Sequence, residues 1–158
     1  MTASPDQDIA SRLTEILNEH SILEGPFLPI LQAVQAEWGY VSQVALAQIA
    51  DHLNITLAEA HGVASFYHDL RSAPGGRASV KICRAEACQA MGANALVAQA
   101  QAKLGLDWHE TSADGAVTLD PVFCLGLCAC APAAMVNGKL HGRVTPEKLD
   151  ALLAEVTS

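Results

Sequence analysis

No apolar run of 18 or more residues occurs in the 158-residue chain, and Met1 to Asp8 has neither a basic start nor a signal-peptide-like apolar stretch. The expectation is therefore a soluble, cytoplasmic protein with no membrane span. There is no glycine-rich dinucleotide fingerprint and no phosphate loop, so neither NAD nor flavin is expected to bind to this chain itself. Cys-x-x-Cys and Cys-x-His are both absent, which argues against a thioredoxin-type dithiol and a Rieske-type centre. Cations are scarce in the first half. Residues 1–74 carry two basic against nine acidic side chains, and the whole chain has a net charge of −8. That balance argues against nucleic-acid binding. Internal repeats and low-complexity tracts are missing too, although alanine, at 28 residues, is frequent enough to favour close helix packing.

What is present is cysteine, in a pattern. Cys83-x4-Cys88 and Cys124-x3-Cys128 are separated by 35 residues. In a reducing compartment such thiols serve more often as metal ligands or redox groups than as structural disulfides, and five is an odd number. Four thiolates converging from two loops can ligate a [2Fe–2S] cluster or a structural zinc, because zinc accepts pair spacings of two to four residues. The spacings here are wider than the Cys-x2-Cys knuckle common in zinc ribbons, the loops are hydrophobic, and the chain is long enough to fold without a metal staple. These features favour the cluster and leave zinc as the alternative. Cys130, the fifth cysteine, reads as a small buried hydrophobe beside Pro132; if Cys128 to Cys130 were extended, it would share a face with Cys128 and could replace it as a ligand.

Smaller signals surround this frame. Gly126 lets the backbone approach the sulfurs, or is only a turn glycine. Lys81 and Arg84 flank Cys83, where cations would favour a more negative reduced cluster, although solvated strand-end charges would look the same. The half that holds every cysteine, residues 75–158, is near neutral, with seven basic against eight acidic residues. An oxidised cluster with four thiolates would itself add about two negative charges. The six histidines show no ligand-like pairing, and Trp38, Tyr40, Phe66 and Tyr67 read as core.

Along the chain, residues 1–74 read as a small four-helix bundle. Ile9, Leu13, Ile16 and Leu17 form a helical stripe ending near Gly25-Pro26; Ile30, Leu31 and Val34 lead to Trp38 and a break at Gly39-Tyr40. Ser42 can cap a third helix with Leu46, Ile49, Ala50 and Leu53 on its inner face. Thr56 and Glu59 form a capping box for a fourth, whose apolar face is Val63, Phe66, Tyr67 and Leu70. Ala73-Pro74-Gly75-Gly76 marks a boundary, so residues 75–158 form a second domain. There Ala78 to Ile82 reads as a strand delivering Cys83, and Cys88 opens a helix carrying Ala93, Leu96, Val97, Ala100 and Leu104 to Gly105. Hairpins are expected around Asp114-Gly115 and Asn137-Gly138, then a last helix from Thr145-Pro146-Glu147 with Leu149, Leu152, Leu153 and Val156 inside. The order β-α-β-β-β-β-α makes a small α/β sandwich with both cysteine loops at strand ends.

At Cys83-Arg84-Ala85-Glu86-Ala87-Cys88, Cys124-Leu125-Gly126-Leu127-Cys128, Ala131-Pro132 and Val136-Asn137-Gly138 the sequence resembles the thioredoxin-like [2Fe–2S] ferredoxin family. That family includes the 24 kDa subunit of respiratory NADH dehydrogenase and its relatives in NAD-reducing hydrogenases and NAD-dependent formate dehydrogenases. The helical half fits through Leu28-Pro29-Ile30-Leu31-Gln32, Gly39-Tyr40-Val41, Ile49-Ala50 and Ala64-Ser65-Phe66-Tyr67. The resemblance implies a thioredoxin-like domain after the bundle, one [2Fe–2S] cluster with Cys83, Cys88, Cys124 and Cys128 as ligands, and a partner iron-sulfur subunit holding FMN and the NAD(H) site. Cys130 departs from the family pattern and is not carried over. Cys-Arg-Ala-Glu-Ala-Cys-Gln and Leu140-His141-Gly142-Arg143-Val144 look most like the gamma subunits of soluble, molybdenum-containing NAD-dependent formate dehydrogenases, which implies a molybdenum-containing catalytic subunit elsewhere in a complex.

Overall fold

The structure is a computed structural model that describes residues 5–157. The chain divides into two compact units between Pro74 and Gly75.

In the first unit, α1 (Pro5–His20), α2 (Phe27–Trp38), α3 (Gln43–Leu53) and α4 (Leu57–Phe66) follow one another through short turns. Their stripes converge on one core of Leu13, Ile16, Leu17, Ile30, Leu31, Val34, Leu46 and Ile49. Burying an aliphatic side chain of this size contributes about 1.5–3 kcal/mol relative to leaving it exposed. The boundaries are chemical. Gly39 ends α2 at φ 80°, a left-handed turn that costs glycine nothing. The Ser42 hydroxyl accepts from Ala45 N–H at 3.1 Å to open α3, and Thr56 and Glu59 form a reciprocal capping box on α4.

Two expectations fail here. Ile9 is exposed although its stripe partners are buried, and Phe66 and Tyr67 lie on the surface, Phe66 at 73% exposure, with their rings edge-on at 5.3 Å. The physical reason for the second is length. The helix ends at Phe66 and Tyr67 adopts extended geometry at its cap, so the helical spacing that would have turned Phe66, Tyr67 and Leu70 inward together is lost.

The second unit is built on a five-stranded sheet in the order β2-β3-β1-β4-β5, from β1 (Ala78–Cys83), β2 (Glu110–Thr111), β3 (Val117–Val122), β4 (Ala134–Val136) and β5 (Lys139–His141). Only β1 and β3 are parallel, paired from Ala78↔Val117 to Cys83↔Val122; β1–β4, β2–β3 and β4–β5 are antiparallel. Parallel neighbours need a long crossover. Here it contains α5 (Glu86–Ala90) and α6 (Ala93–Leu104), so the single helix expected after Cys88 is two, broken where Gly92 takes φ 92°. The expected hairpins are present, and Asn137 and Gly138 at φ 49° and 78° carry the tight turn between β4 and β5.

α6 packs beside the last helix, α7 (Pro146–Thr157), and Asp150 joins them by accepting from Lys103 Nζ at 2.7 Å and Gln99 Nε2 at 2.9 Å. Val80, Ile82, Val117, Leu119, Leu96, Ala100, Leu149 and Leu153 form the core between sheet and helices. The glycine-rich link is not merely a spacer. Gly76 N–H donates to Thr118 Oγ1 at 2.7 Å, and a Cβ on this residue would run into the backbone of Val117 and Thr118.

Candidate metal centre

Because β1 and β3 are adjacent and parallel, their C-terminal ends emerge side by side, which is where open α/β sheets place their chemistry. β1 ends in Cys83, and β3 ends at Val122, two residues before Cys124. Backbone bonds tie the exits together: Arg84 N–H donates to Val122 O at 2.7 Å and Cys83 N–H to Ala133 O at 3.0 Å. Cys88 arrives one turn later on α5, whose start is fixed by Gln89 Nε2 donating to Arg84 O at 2.7 Å. Cys128 begins a 3-10 turn, Cys128–Cys130.

The four thiols form two pairs of different exposure. Cys83 and Cys88 are each 2% exposed and sit with Ala93 and Ala133 under a partly buried shell of Ala85, Val122, Leu125, Leu127 and Ala131. Cys124 and Cys128 are exposed, with their Sγ atoms 3.8 Å apart. Burial pushes the Cys88 thiol up first, and its hydrogen bond with Cys83 adds to that. The Cys128 thiol is also raised, by its hydrogen bond with Cys124 and then by the repulsion of a neighbouring thiolate. A bound cation is what would relieve such crowding of sulfur charge.

Backbone strain is stored at one of these positions. Cys124 adopts φ 137°, unusual for a residue with a side chain, and Gly126 at φ 74° turns the loop so that its N–H donates to Cys124 Sγ at 3.3 Å. Both sequence readings of Gly126 have a counterpart: its positive φ makes the turn, and its N–H reaches the Cys124 sulfur. Nothing in the sequence pattern signals the strain at Cys124.

The donor set can be weighed against both candidate occupants. One tetrahedral zinc draws four sulfurs around one point. A [2Fe–2S] cluster instead divides four cysteines between two irons, and two thiol pairs from two loops fit that division.

The other residues singled out in the sequence fall as follows. Cys130 is half-buried; the turn that holds it is not extended, so the geometry under which it would share a face with Cys128 is not present. Its Cβ and carbonyl lie against Gly142, a contact that no local sequence signal announces. Arg84 turns its guanidinium over the Trp108 ring at 5.8 Å and toward Asn94 Oδ1 at 3.4 Å, and its Nε is buried with no hydrogen-bond partner. Lys81 lies opposite Asp120 in the β1–β3 register. The histidines do not cluster; His109 Nδ1 meets Asp120 at 3.1 Å and His61 meets Gln43 at 2.7 Å.

A thioredoxin-like α/β unit whose parallel strand ends present four cysteines belongs to the class of small iron-sulfur proteins. The sequence matches the thioredoxin-like [2Fe–2S] ferredoxin family over residues 13–157, and the chain belongs to that family. Proteins of this family carry one [2Fe–2S] cluster. Similar sequences include the HndA component of the NADP-reducing hydrogenase of Solidesulfovibrio fructosivorans, 34% identical over 132 residues, covering 84% of this chain and 77% of that one. A component of the NADH-quinone oxidoreductase of Mycobacterium tuberculosis is 35% identical over 155 residues, covering 96% of this chain but 62% of the relative. Among solved structures, the NAD+-reducing [NiFe]-hydrogenase superposes with a TM-score of 0.68 at 25% identity, over 80% of this chain and 22% of the hydrogenase chain. The chain thus spans under two thirds of some of the relatives it matches. No helix among the described residues is long and apolar enough to cross a membrane.

Proposed function

We propose that Cys83, Cys88, Cys124 and Cys128 hold one [2Fe–2S] cluster, and that the chain serves as an electron-transfer subunit beside a partner subunit carrying FMN and the NAD(H) site. The observation that carries the proposal is the division of the thiols into a buried pair and an exposed pair 3.8 Å apart, at the ends of two paired parallel strands. A [2Fe–2S] cluster supplies a one-electron carrier, which is what a flavin needs to divide a two-electron hydride event into single electrons. The chain's own contribution is positional. The buried pair is shielded from water, the exposed pair lies at the surface where a partner can come close, and the Gly126 N–H stabilises charge on Cys124 Sγ. A potential on the order of the −400 mV of plant-type ferredoxins is expected, raised to the extent that such hydrogen bonds stabilise the reduced form.

The relatives belong to NADH-quinone oxidoreductase and to hydrogenases reducing NADP or NAD+. Within this range we assign the chain to an NAD-dependent formate dehydrogenase complex with a molybdenum-containing catalytic subunit. Support comes from the sequence around the first thiol pair, Cys-Arg-Ala-Glu-Ala-Cys-Gln, and from Leu140-His141-Gly142-Arg143-Val144. The helical unit is assigned as a docking element, supported by the exposed Phe66–Tyr67 pair and by an apolar cavity of about 490 Å3 lined by Ile9, Leu13, Val34, Trp38, Tyr40 and Val44.

Anaerobic purification with iron, sulfide and zinc analysis tests the site. About two irons and two sulfides per chain support it; one zinc in a colourless protein would establish the zinc-stabilised interaction module instead. Co-purification with an FMN-binding subunit, and formate-dependent NAD+ reduction by the resulting complex, tests the assignment. Activity with hydrogen or with quinone, and none with formate, would move the chain to the hydrogenase or respiratory branch.

A further inference from the structure

The electron-carrier reading leaves two features of the second unit without a task, the fifth cysteine and the short segment that follows β5. Strand β5 returns from the turn at Asn137-Gly138 to the end of the sheet that carries the thiols. His141 pairs there with Ala134, next to the Ala133 that packs against Cys83 and Cys88. Gly142, Arg143 and Val144 then run against the stretch from Cys130 to Pro132. Arg143 N–H donates to Cys130 O at 2.6 Å, and Val144 N–H donates to Pro132 O at 3.0 Å. A Cβ on Gly142 would lie 2.8 Å from the Cys130 Cβ and 3.0 Å from the Cys130 carbonyl oxygen. Gly142 does not lie in the left-handed region, so a side chain is excluded there by space and not by backbone conformation.

Both sides of this contact are anchored. Behind Gly142, Lys148 Nζ on α7 donates to its carbonyl at 2.8 Å, and Val144 is buried in the core between sheet and helices. Arg143 is held between them at φ 49°, a conformation that costs a residue with a side chain and persists only where its surroundings impose it. In front, Cys130 belongs to the 3-10 turn that Cys128 begins. Its N–H donates to Leu127 O at 2.8 Å, and Ala131 N–H donates to Cys128 O at 3.3 Å. The same stretch reaches the buried pair, since Cys83 N–H donates to Ala133 O at 3.0 Å. A shift at Cys130 therefore moves Cys128, two residues away in one hydrogen-bonded turn, and pulls on the stretch whose next carbonyls hold Val144 and Cys83.

We propose that Gly142 is a positioning residue for the metal centre. By carrying no side chain it lets the Cys128–Cys130 turn seat against the segment 142–144, and that seat sets where Cys128 Sγ stands relative to the other three thiols. Cys130 takes part through its Cβ and backbone and not through its sulfur. The proposal rests on the electron-carrier reading and adds to it the element that fixes the last of the four ligands. Groups that orient a metal ligand from behind change metal affinity by about 10–100-fold when they are altered.

The test uses the full-length chain, loaded and purified anaerobically, as wild type and as three variants. These are Gly142→Ala, Gly142→Ala/Cys130→Gly, and Gly76→Ala, which crowds the opposite end of the paired strands β1 and β3. The readouts are the electron paramagnetic resonance spectrum of the reduced protein, the rate of iron loss to a chelator, and the thermal midpoint. Gly142→Ala should shift the spectrum and speed iron loss about tenfold or more. The double variant moves the Cβ from one side of the contact to the other and should bring both readouts back toward wild type. Gly76→Ala should lower the midpoint and keep the wild-type spectrum. An unchanged spectrum and iron-loss rate in Gly142→Ala overturn the proposal. So does a lowered midpoint with an unchanged spectrum, the pattern of Gly76→Ala, because it shows a cost to the fold alone. If Gly142→Ala takes up no cluster, renewed uptake by the double variant supports the proposal and continued failure overturns it. A wild-type chain that holds no [2Fe–2S] cluster overturns the electron-carrier reading, and the proposal with it.

Discussion

Gly76 is the position least able to accept a side chain. A Cβ there would lie 2.7 Å from the Val117 carbonyl carbon and 2.9 Å from Thr118 N, and strand backbone cannot swing aside as a flexible side chain does. Gly76→Ala is expected to destabilise the second unit by about 1–3 kcal/mol, the usual cost of overpacking, read as a lower denaturation midpoint at unchanged slope. An unchanged midpoint would mean that the link shifts freely. In sequence this glycine reads only as boundary punctuation, because the close approach depends on β3, some forty residues away. The four thiols proposed as ligands come from the family resemblance; spacing and strand-end placement by themselves leave Cys130 open as a substitute for Cys128. Cys130→Ala is expected to keep the visible spectrum of the loaded protein, because that thiol stands on a 3-10 turn against Gly142. Cys83→Ser should destabilise or shift the cluster, since it alters one member of the buried pair. Bleaching by the first change, or an unaltered spectrum and iron content after the second, would reverse these assignments.

At the scale of elements, local chemistry is legible and phase is not. The caps at Ser42, Thr56 and Thr145 and the turn at Asn137-Gly138 involve residues within a few positions of each other, so their signals survive in the sequence. Thr56→Ala removes the hydroxyl that receives the Glu59 N–H at 3.2 Å and the Thr56 half of the box. A loss of about 1 kcal/mol, within 0.5–2, is expected in thermal or denaturant unfolding. Glu59→Gln at the same cap should cost less, because an amide oxygen can still accept the Thr56 N–H. Equal losses would show that the charge on Glu59, not the geometry, supports the helix. What escapes such local reading is where a helix stops. α4 ends before Tyr67, which is extended at the cap, and leaves two aromatic rings outside, and the helix bearing Cys88 breaks at Gly92, which takes a left-handed φ; an apolar stripe reports neither stop.

For the whole molecule, the two units carry separate cores, one drawn from α1 to α4 and the other from the sheet with α6 and α7. The buried thiols and their shell belong to the second. The charge follows the same division, with seven of the nine basic residues in residues 75–158 and the acidic excess in residues 1–74. If the centre depends only on elements of the second unit, then residues 75–158 expressed alone should fold cooperatively. They should also take up about two irons and two sulfides with the same visible spectrum as the full chain. The 84-residue span is near the lower size at which a single core suffices, so a modest fall in melting temperature is compatible with this expectation. A colourless or unfolded fragment, under conditions where the full chain loads its cluster, would show that the helical unit completes the site rather than accompanying it.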